Sequence, residues 1–437
     1  MTLTQPLSVI ILAAGKGSRM KSDKAKVLHP VSGRPMLYHS IKAAKAISDD
    51  VTVIVAHQKE EVIATIGTLF DEITFAVQDI ENYPGTGGAL MQIKPKNEKV
   101  LVLNGDMPLV TAAALQGFLE YDGDIIMSIF DLEDPSGYGR VILSDAGVER
   151  IVEEKDATAE ELDVTHVNAG VYCFRREVLE SFLPRLTNHN AQQEYYLTDI
   201  IALARGEHRK ILPLLIDEEH FKGVNSKADL EAADTLMQRR IKAHWMKAGV
   251  TMQLADTIYI DEAVVFRGEC IVENGARITG ASVIESSHVK AHSVVEESTI
   301  VHSDCGPMAH LRPGSELVDT HVGNFVETKK AVLKGVKAGH LSYLGDAEVG
   351  EGTNIGAGTI TCNYDGKAKY KTKIGRNVFI GSDSQIVAPC EIEDDVIVAA
   401  GTTVTGPKIA SGTLAISRTP LKSVKDFYYK FFRKAKA

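Results

Sequence analysis

Cysteine is scarce. The 437 residues include five, Cys173, Cys270, Cys305, Cys362 and Cys390. The number is odd, the spacing is scattered and no C-x-x-C pair occurs, so neither a disulfide framework nor a cysteine zinc site is expected. Unpaired thiols suit a reducing cytoplasm, the expected location. The N-terminus lacks a basic n-region, and Val9–Leu12 is too short for a signal core. No apolar run approaches the length of a membrane span. Positive charge is also in deficit: 48 Lys and Arg stand against 58 Asp and Glu, a net charge of -10. Nucleic acid is therefore not expected as the main ligand. Two familiar phosphate motifs are missing as well. No G-x-x-x-x-G-K-[ST] occurs, and Met20 stands where a Rossmann fingerprint needs its third glycine.

What is present begins with Leu12-Ala13-Ala14-Gly15-Lys16-Gly17-Ser18-Arg19-Met20, followed by Lys26. The stretch leaves Val9-Ile10-Ile11, an apolar run that reads as a buried first strand. A glycine-rich loop there can bring backbone N–H groups to phosphate oxygens, and Arg19 and Lys26 add fixed positive charge. Gly15 and Gly17 are equally compatible with a plain tight turn. The complete string resembles the signature loop of sugar-nucleotide pyrophosphorylases, with Ser18 in place of threonine and Ala25-Lys26 in place of Pro-Lys.

Residues 1–227 alternate apolar runs (Val9–Leu12, Val51–Val55, Thr74–Val77, Val100–Leu103, Ile125–Ile129, Val167–Phe174) with helical stretches such as Met36–Ala46 and Ala112–Leu119. That predicts an α/β, Rossmann-like domain with a mostly parallel sheet. Ligands in such sheets bind beyond the carboxyl ends of the strands, where the Ala13 loop and Asn104-Gly105-Asp106 fall. Asp106 is a natural magnesium ligand there, although Asn-Gly-Asp is also an ordinary turn. Residues 228–249 predict a linker helix: Ser226 and Asp229 have capping-box spacing, apolar residues recur from Leu230 to Trp245, and Gly249 is a stop. A surface helix fits the same pattern.

From 250 to 437 the texture changes. Ile374, Ile380, Ile386, Ile392, Val398 and Val404 fall every six residues. Val283, Val289, Val295 and Val301 do likewise, and so do Val349, Ile355 and Thr361. This is the mark of a left-handed parallel β-helix of hexapeptide repeats with the aliphatic residue inward. Breaks at His302–Thr320, Lys329–Tyr343 and Asn363–Lys373 are expected to be loops leaving the coil. The tail from Leu421 interleaves Lys422, Lys425, Lys430, Arg433, Lys434 and Lys436 with Phe427, Tyr428, Tyr429, Phe431 and Phe432. It reads first as a short helix packed on the coil end, with membrane-surface or nucleic-acid contact as the other reading.

Further strings accumulate: Gly85-Thr86-Gly87, Gly137-Tyr138-Gly139-Arg140, Ile151–Asp156, Asn168-Ala169-Gly170 and Gly223-Val224-Asn225 in the first half, then His310–Gly314, Gly323–Lys330, Lys337–Asp346 and Asn354–Gly366 in the second. With these the whole chain resembles the bacterial family of bifunctional N-acetylglucosamine-1-phosphate uridylyltransferases and glucosamine-1-phosphate N-acetyltransferases of cell-envelope synthesis. The resemblance implies that Leu12, Ala13, Ala14, Gly15, Lys26, Gln78, Gly85, Thr86, Asn104, Gly105, Asp106, Gly139, Glu153, Asn168 and Asn225 hold UTP or its sugar product. Arg19 and Lys26 are implied as catalytic cations, and Asp106 and Asn225 as ligands of Mg2+. Asn104 stands where many relatives have tyrosine. In the second half it implies Arg312, Lys329, Tyr343, Asn354 and Lys369 around glucosamine-1-phosphate. Ala357, Asn363, Tyr364, Ser382, Ala400 and Arg418 are implied around acetyl-CoA, His340 as the general base, and a homotrimer. A nucleotidylyltransferase of one activity with a structural coil is the competing reading; the basic segments Lys329–Lys330 and Lys369–Lys373 and the His340 string speak for the bifunctional one.

Overall fold

The computed structural model describes residues 6–144, 147–418 and 420–433. It divides into two compact units, Met1–Met237 and Gln238–Ala437. Among the described residues no helix is long and apolar enough to cross a membrane.

The first unit is built on a sheet whose main path runs Ile211–Leu215, Ile125–Asp131, His166–Arg175, Lys99–Asn104, Leu7–Ala13, Asp50–Val55, Thr74–Val77. All six expected strands are present. Only His166–Arg175 on that path runs antiparallel to its neighbours. Alternate residues of the central strands enter opposite cores. Val9 and Ile11 pack with Leu37, Ile41 and Val62 on one side, and Ile10 packs with Leu90, Phe182 and Ile200 on the other. Helices thus cover both faces, which is why these strands read as continuous apolar runs. The helix Met36–Lys45 forms as expected, while Ala112–Gln116 tightens into a 3-10 turn at Gly117–Leu119. Two features were not expected from sequence. Ile211–Leu215 carries Pro213, which argues against a strand, yet it pairs with one neighbour only, an edge where proline is tolerated. Arg140–Ser144 and Gly147–Val152 form a hairpin beside the sheet.

The long helix spans Lys227–Lys247. Its start follows the capping-box reading: Asp229 N donates to Ser226 Oγ at 3.1 Å, and Ser226 N donates to Asp229 Oδ2 at 2.8 Å. Within the first unit, Ala233 joins Met20, Val31 and Met36 in a small core, and Asp234 accepts from Ser32 N and Oγ. Within the second unit, Gln238 and Lys242 satisfy the first coil. Gln238 Nε2 donates to Ile260 O at 2.7 Å, and Lys242 Nζ donates to Ala255 O at 2.7 Å and Ile258 O at 3.1 Å. Trp245 packs edge-on against Phe266. The coil's first end is closed in this way.

The second unit consists of short strands in three parallel sheets of ten, nine and nine strands. Each strand pairs with those three before and three after it, so the chain winds as a three-faced parallel β-helix. Here the first face starts at Thr251–Met252, the second at Tyr259–Ile260 and the third at Val265–Arg267. Ile374 through Val404 point inward as the repeat predicts. The earlier run needs correction. Val283 and Val301 flank the inward residues Ile284 and Ile300, so the buried series is Ile278, Ile284, Val289, Val295, Ile300, Cys305. Some sides there have five residues. Two of the three expected loops are also absent: His302–Thr320 and Lys329–Tyr343 stay in the coil. A turn from Val295 to Leu311 or from Leu311 to Thr328 is shorter than the turn from Ile386 to Val404. Cys305, Thr328 and Ala338 take inward positions where aliphatic residues were sought. Of the three expected loops, the one between Ile360–Cys362 and Thr372–Ile374 does leave the coil, joined to itself by a Tyr364–Lys369 bridge.

Candidate active sites

The loop after Leu7–Ala13 borders a cleft of about 630 Å3 in the first unit. Gly17 adopts a left-handed φ of 62°, and a Cβ there would lie 2.5 Å from Lys26 Cβ, so glycine is what lets Lys26 lie against the loop. Lys26 Nζ then reaches Asp106 Oδ2 at 2.5 Å and Asn225 Oδ1 at 2.7 Å. Arg19 Nη2 donates to the same Asn225 oxygen at 2.9 Å. Two residues far apart in sequence are thereby drawn to one ammonium group. Both present oxygen donors, the chemistry that a hard cation shared with phosphate oxygens requires. Among the described residues no cluster of three His, Cys, Asp or Glu side chains could hold a metal. The Asp106–Asn225 pair therefore fits an ion held partly by substrate, rather than a closed protein cage.

Leu12, Ala13, Ala14, Gly15, Gln78, Gly85, Thr86 and Asn104 line the same cleft. Gln78 donates to the backbone carbonyls of Tyr83 and Gly85, which shapes the second glycine-rich loop. Gly105 lies behind the lining, its N–H donating to Leu12 O at 2.8 Å and tying two strand ends together. Gly139, Glu153 and Asn168 form a neighbouring group outside the lining. Asn168 N donates to Gly139 O at 2.9 Å, and Thr198 Oγ1 donates to Glu153 Oε1 at 3.1 Å. Burial raises the Glu153 carboxyl above its usual range; the Thr198 hydrogen bond opposes that, while the charges of Asp199, Asp156 and Glu194 add to it. Ala56, His57, Ile80 and Glu194 also line the cleft and were not singled out in the sequence. Ala56 and His57 follow the strand Asp50–Val55, so the strand-end rule that located Asp106 could have found them.

In the second unit, Arg312 and Lys329 stand in register on the second face, with Tyr343 in register with Glu327. Arg312 Nη1 donates to Glu327 Oε1 at 2.8 Å. Lys369, from the excursion, approaches Lys329. Contact with Lys369, then the charges of Lys369 and Arg312, hold the Lys329 ammonium below its ordinary pKa. A Cβ on Gly345 would meet the Tyr343 hydroxyl at 2.4 Å and Asn363 Nδ2 at 2.8 Å, and Asn363 Nδ2 donates to Asp346 Oδ2 at 2.6 Å. Arg312, Lys329, Tyr343, Asn363 and Lys369 thus gather on one side. Asn354 does not join them: it lies on the first face between Lys337 and Phe379.

His340 ends the first-face strand Lys337–His340, at the corner leading to the second-face strand Tyr343–Gly345. It is exposed, and its ring makes no hydrogen bond among the described residues. Successive coils stack along this corner. Gly358 N donates to Leu341 O, Asp383 N to Ala357 O, and Gly401 N to Ser382 O. Arg418 closes the column by donating to Ala400 O at 2.9 Å. His340, Ala357, Ser382, Ala400 and Arg418 therefore follow one edge. Tyr364 is exposed at the start of the excursion.

Two family descriptions match the chain: a MobA-like NTP transferase domain over residues 9–145, and the bacterial transferase hexapeptide (six repeats) over residues 371–406. The "Bifunctional protein GlmU" of a Nitratiruptor species is 62% identical over 427 residues, which cover 98% of this chain and 99% of that one. The protein of the same name from Sulfurimonas denitrificans is 62% identical over 428 residues, with coverages of 98% and 99%. That from Wolinella succinogenes is 59% identical over 430 residues, with coverages of 98% and 100%. The chain belongs to the GlmU family. As a GlmU protein it is a bifunctional transferase, with UTP and acetyl-CoA as co-substrates and Mg2+ for uridylyl transfer. This sets aside the reading of one activity carried on a merely structural coil.

Proposed function

We propose that the corner column of the second unit acetylates glucosamine-1-phosphate, and that the cleft of the first unit then transfers UMP from UTP to the N-acetylglucosamine-1-phosphate formed. The product of the first reaction is the acceptor of the second. The observation that carries the cleft assignment is the meeting of Lys26, Arg19, Asp106 and Asn225 beside a glycine-rich loop.

In the cleft, the sugar-phosphate oxygen attacks the α-phosphorus of UTP, the bond to the bridging oxygen breaks, and pyrophosphate leaves. Positioning and charge neutralisation dominate such a reaction. Lys26 and Arg19 stabilise the crowded, negative phosphorus. Asp106 and Asn225 would hold Mg2+, which supplies further neutralisation of phosphate charge when bound. Gln78, Gly85 and Thr86 orient the nucleotide, and Gly139, Glu153 and Asn168 receive the sugar.

On the coil, Arg312, Lys329 and Lys369 bind the phosphate of glucosamine-1-phosphate, with Tyr343 as a further contact; Asn354, on the first face, is left out of this group. Three cations, of which Lys329 is held below its ordinary pKa by Lys369 and Arg312, favour a dianion between them. The amine attacks the thioester carbonyl, a C–N bond forms and the C–S bond breaks. His340 takes the amine proton and returns it to the departing thiolate. Ala357, Asn363, Tyr364, Ser382, Ala400 and Arg418 seat acetyl-CoA.

The working enzyme is a cytoplasmic homotrimer assembled through its coils. Support comes from the first face, where Phe379, Ile397 and Leu414 stand exposed in consecutive register. Domain limits at 227 and 249 belong to the same proposal. Incubating the protein with glucosamine-1-phosphate, acetyl-CoA, UTP and Mg2+ and resolving the products by mass spectrometry tests it. UDP-N-acetylglucosamine, coenzyme A and pyrophosphate are expected; an unacetylated nucleotide sugar as sole product would overturn the coil assignment.

A further inference from the structure

Lys26 begins a short 3-10 turn, Lys26–Leu28, that ends at His29. His29 N donates to Lys26 O at 3.3 Å, and Met36 N donates to His29 O at 3.0 Å. The backbone of His29 therefore closes the Lys26 turn on one side and anchors the start of the helix Met36–Lys45 on the other. Its side chain is buried, only 6% exposed. Lys227 Nζ lies 3.2 Å from His29 Nδ1. Lys227 is the first residue of the long helix and stands two residues after Asn225. One side-chain contact thus joins the segment that carries Lys26 to the segment that carries Asn225.

An ammonium group only donates, so His29 Nδ1 is the acceptor and the ring proton belongs on Nε2. A second proton, on Nδ1, would face the Lys227 charge. Burial, then the charges of Lys227 and Lys24, accordingly hold the His29 pKa below its ordinary value. The ring is a neutral, fixed acceptor. Lys227 has no reason of its own to lie there, because a cation in the first turn opposes the helix dipole. Asn225 has other supports. Its N–H donates to Asp229 Oδ2 at 3.0 Å, and Val224 N donates to Asp106 O at 2.9 Å. The direct bond from Lys26 Nζ to Asn225 Oδ1 joins two groups that must turn to phosphate and metal when substrate binds. The contact between His29 and Lys227 lies outside the reacting groups, so it can persist through turnover.

Given the assignment of Lys26 and Asn225 to uridylyl transfer above, we propose that His29 and Lys227 form a latch that sets the spacing between those two groups, and that both are positioning residues for the reaction. Lys26 neutralises charge at the phosphorus and Asn225 presents its oxygen to the cation, so the two must be held at one separation. The latch fixes the backbone under each of them. Neither His29 nor Lys227 is assigned any contact with substrate. Their effect on the rate passes through Lys26 and Asn225, and the two should therefore act as one unit.

The test is a double-mutant cycle on the full chain: His29→Leu, Lys227→Met and the two combined, with His29→Asn as the variant that keeps an acceptor near the Nδ1 position. Uridylyl transfer is read as kcat/KM. Each single change is expected to lose on the order of 10- to 100-fold, up to the scale of an ångström-sized misplacement. The combined variant is expected to lose no more than the worse single one, because the interaction is already gone. His29→Asn should recover most of the rate. Hydrogen exchange of the backbone over residues 223–227, read by mass spectrometry without substrate, should quicken equally in both single variants and return towards wild type in His29→Asn. Acetyl transfer should be unchanged in all four and reports that they are folded. Wild-type kcat/KM in His29→Leu would overturn the latch. So would losses that simply add in the combined variant, or a failure of His29→Asn to restore rate and protection. Asp106→Ala, run alongside, tests the cleft assignment separately: full uridylyl transfer there would remove that assignment, while the exchange at 223–227 would still show whether the latch holds the segment.

Discussion

Lys26 illustrates how much one side chain carries. It lies against Gly17, and its ammonium group draws in Asp106 and Asn225. Gly17→Ala would place a methyl group in left-handed backbone and against Lys26. The expected result is a loss of uridylyl transfer on the order of 10²-fold, the scale of an ångström-sized misplacement, with acetyl transfer unchanged. Wild-type uridylyl rates in that variant would refute the role given to this contact. Lys329 yields a pH prediction. Its pKa is lowered by Lys369 and Arg312, and a bound phosphate dianion raises it again. The complex therefore holds more protons than the free enzyme between those two values. Affinity for glucosamine-1-phosphate should be full below the free pKa and fall as pH rises through it, with proton uptake on binding. Calorimetry in two buffers of different ionisation enthalpy measures that uptake, and proton release instead would reverse the sign. At this scale the sequence was informative about which residues, through strings that a family shares. It was silent on contacts such as Lys26 to Asn225, because they join distant parts of the chain and leave no spacing signal.

Elements were legible wherever one period was kept. The buried strands of the first unit read correctly because both faces are covered. Ile374 through Val404 read correctly because each side there has six residues. Between Ile278 and Val349 some sides shorten to five residues, and inward places go to Cys305, Thr328 and Ala338. A strict six-residue template then loses phase and reports loops that do not exist. The long helix adds a role that no pattern signalled. Lys242 is nearly buried and satisfies Ala255 O and Ile258 O at the start of the coil. Lys242→Met keeps the bulk but removes the donor to Ile258 O and leaves Ala255 O with the Ile258 N–H alone, at a cost of about 1–3 kcal/mol to the unfolding free energy of the coil. Urea denaturation followed by Trp245 fluorescence reads this directly. An unchanged midpoint would mean that water replaces the ammonium group without loss.

At the scale of the molecule, two chemistries are assigned to two compact units, each with its own buried core. One consequence is assembly. Light scattering should report three chains, and a monomer with intact acetyl transfer would exclude the coil as the association surface. The other consequence is that the activities separate. The most direct measurement assays both half-reactions on three proteins: wild type, Asp106→Ala and His340→Ala, each first shown by circular dichroism and light scattering to be folded and assembled. Asp106→Ala is predicted to lose uridylyl transfer and keep acetyl transfer. His340→Ala is predicted to lose acetyl transfer by roughly 10²–10⁴-fold, the range for a general base, and to keep uridylyl transfer. Near-normal acetylation by His340→Ala, or loss of both activities in either variant, would contradict the account.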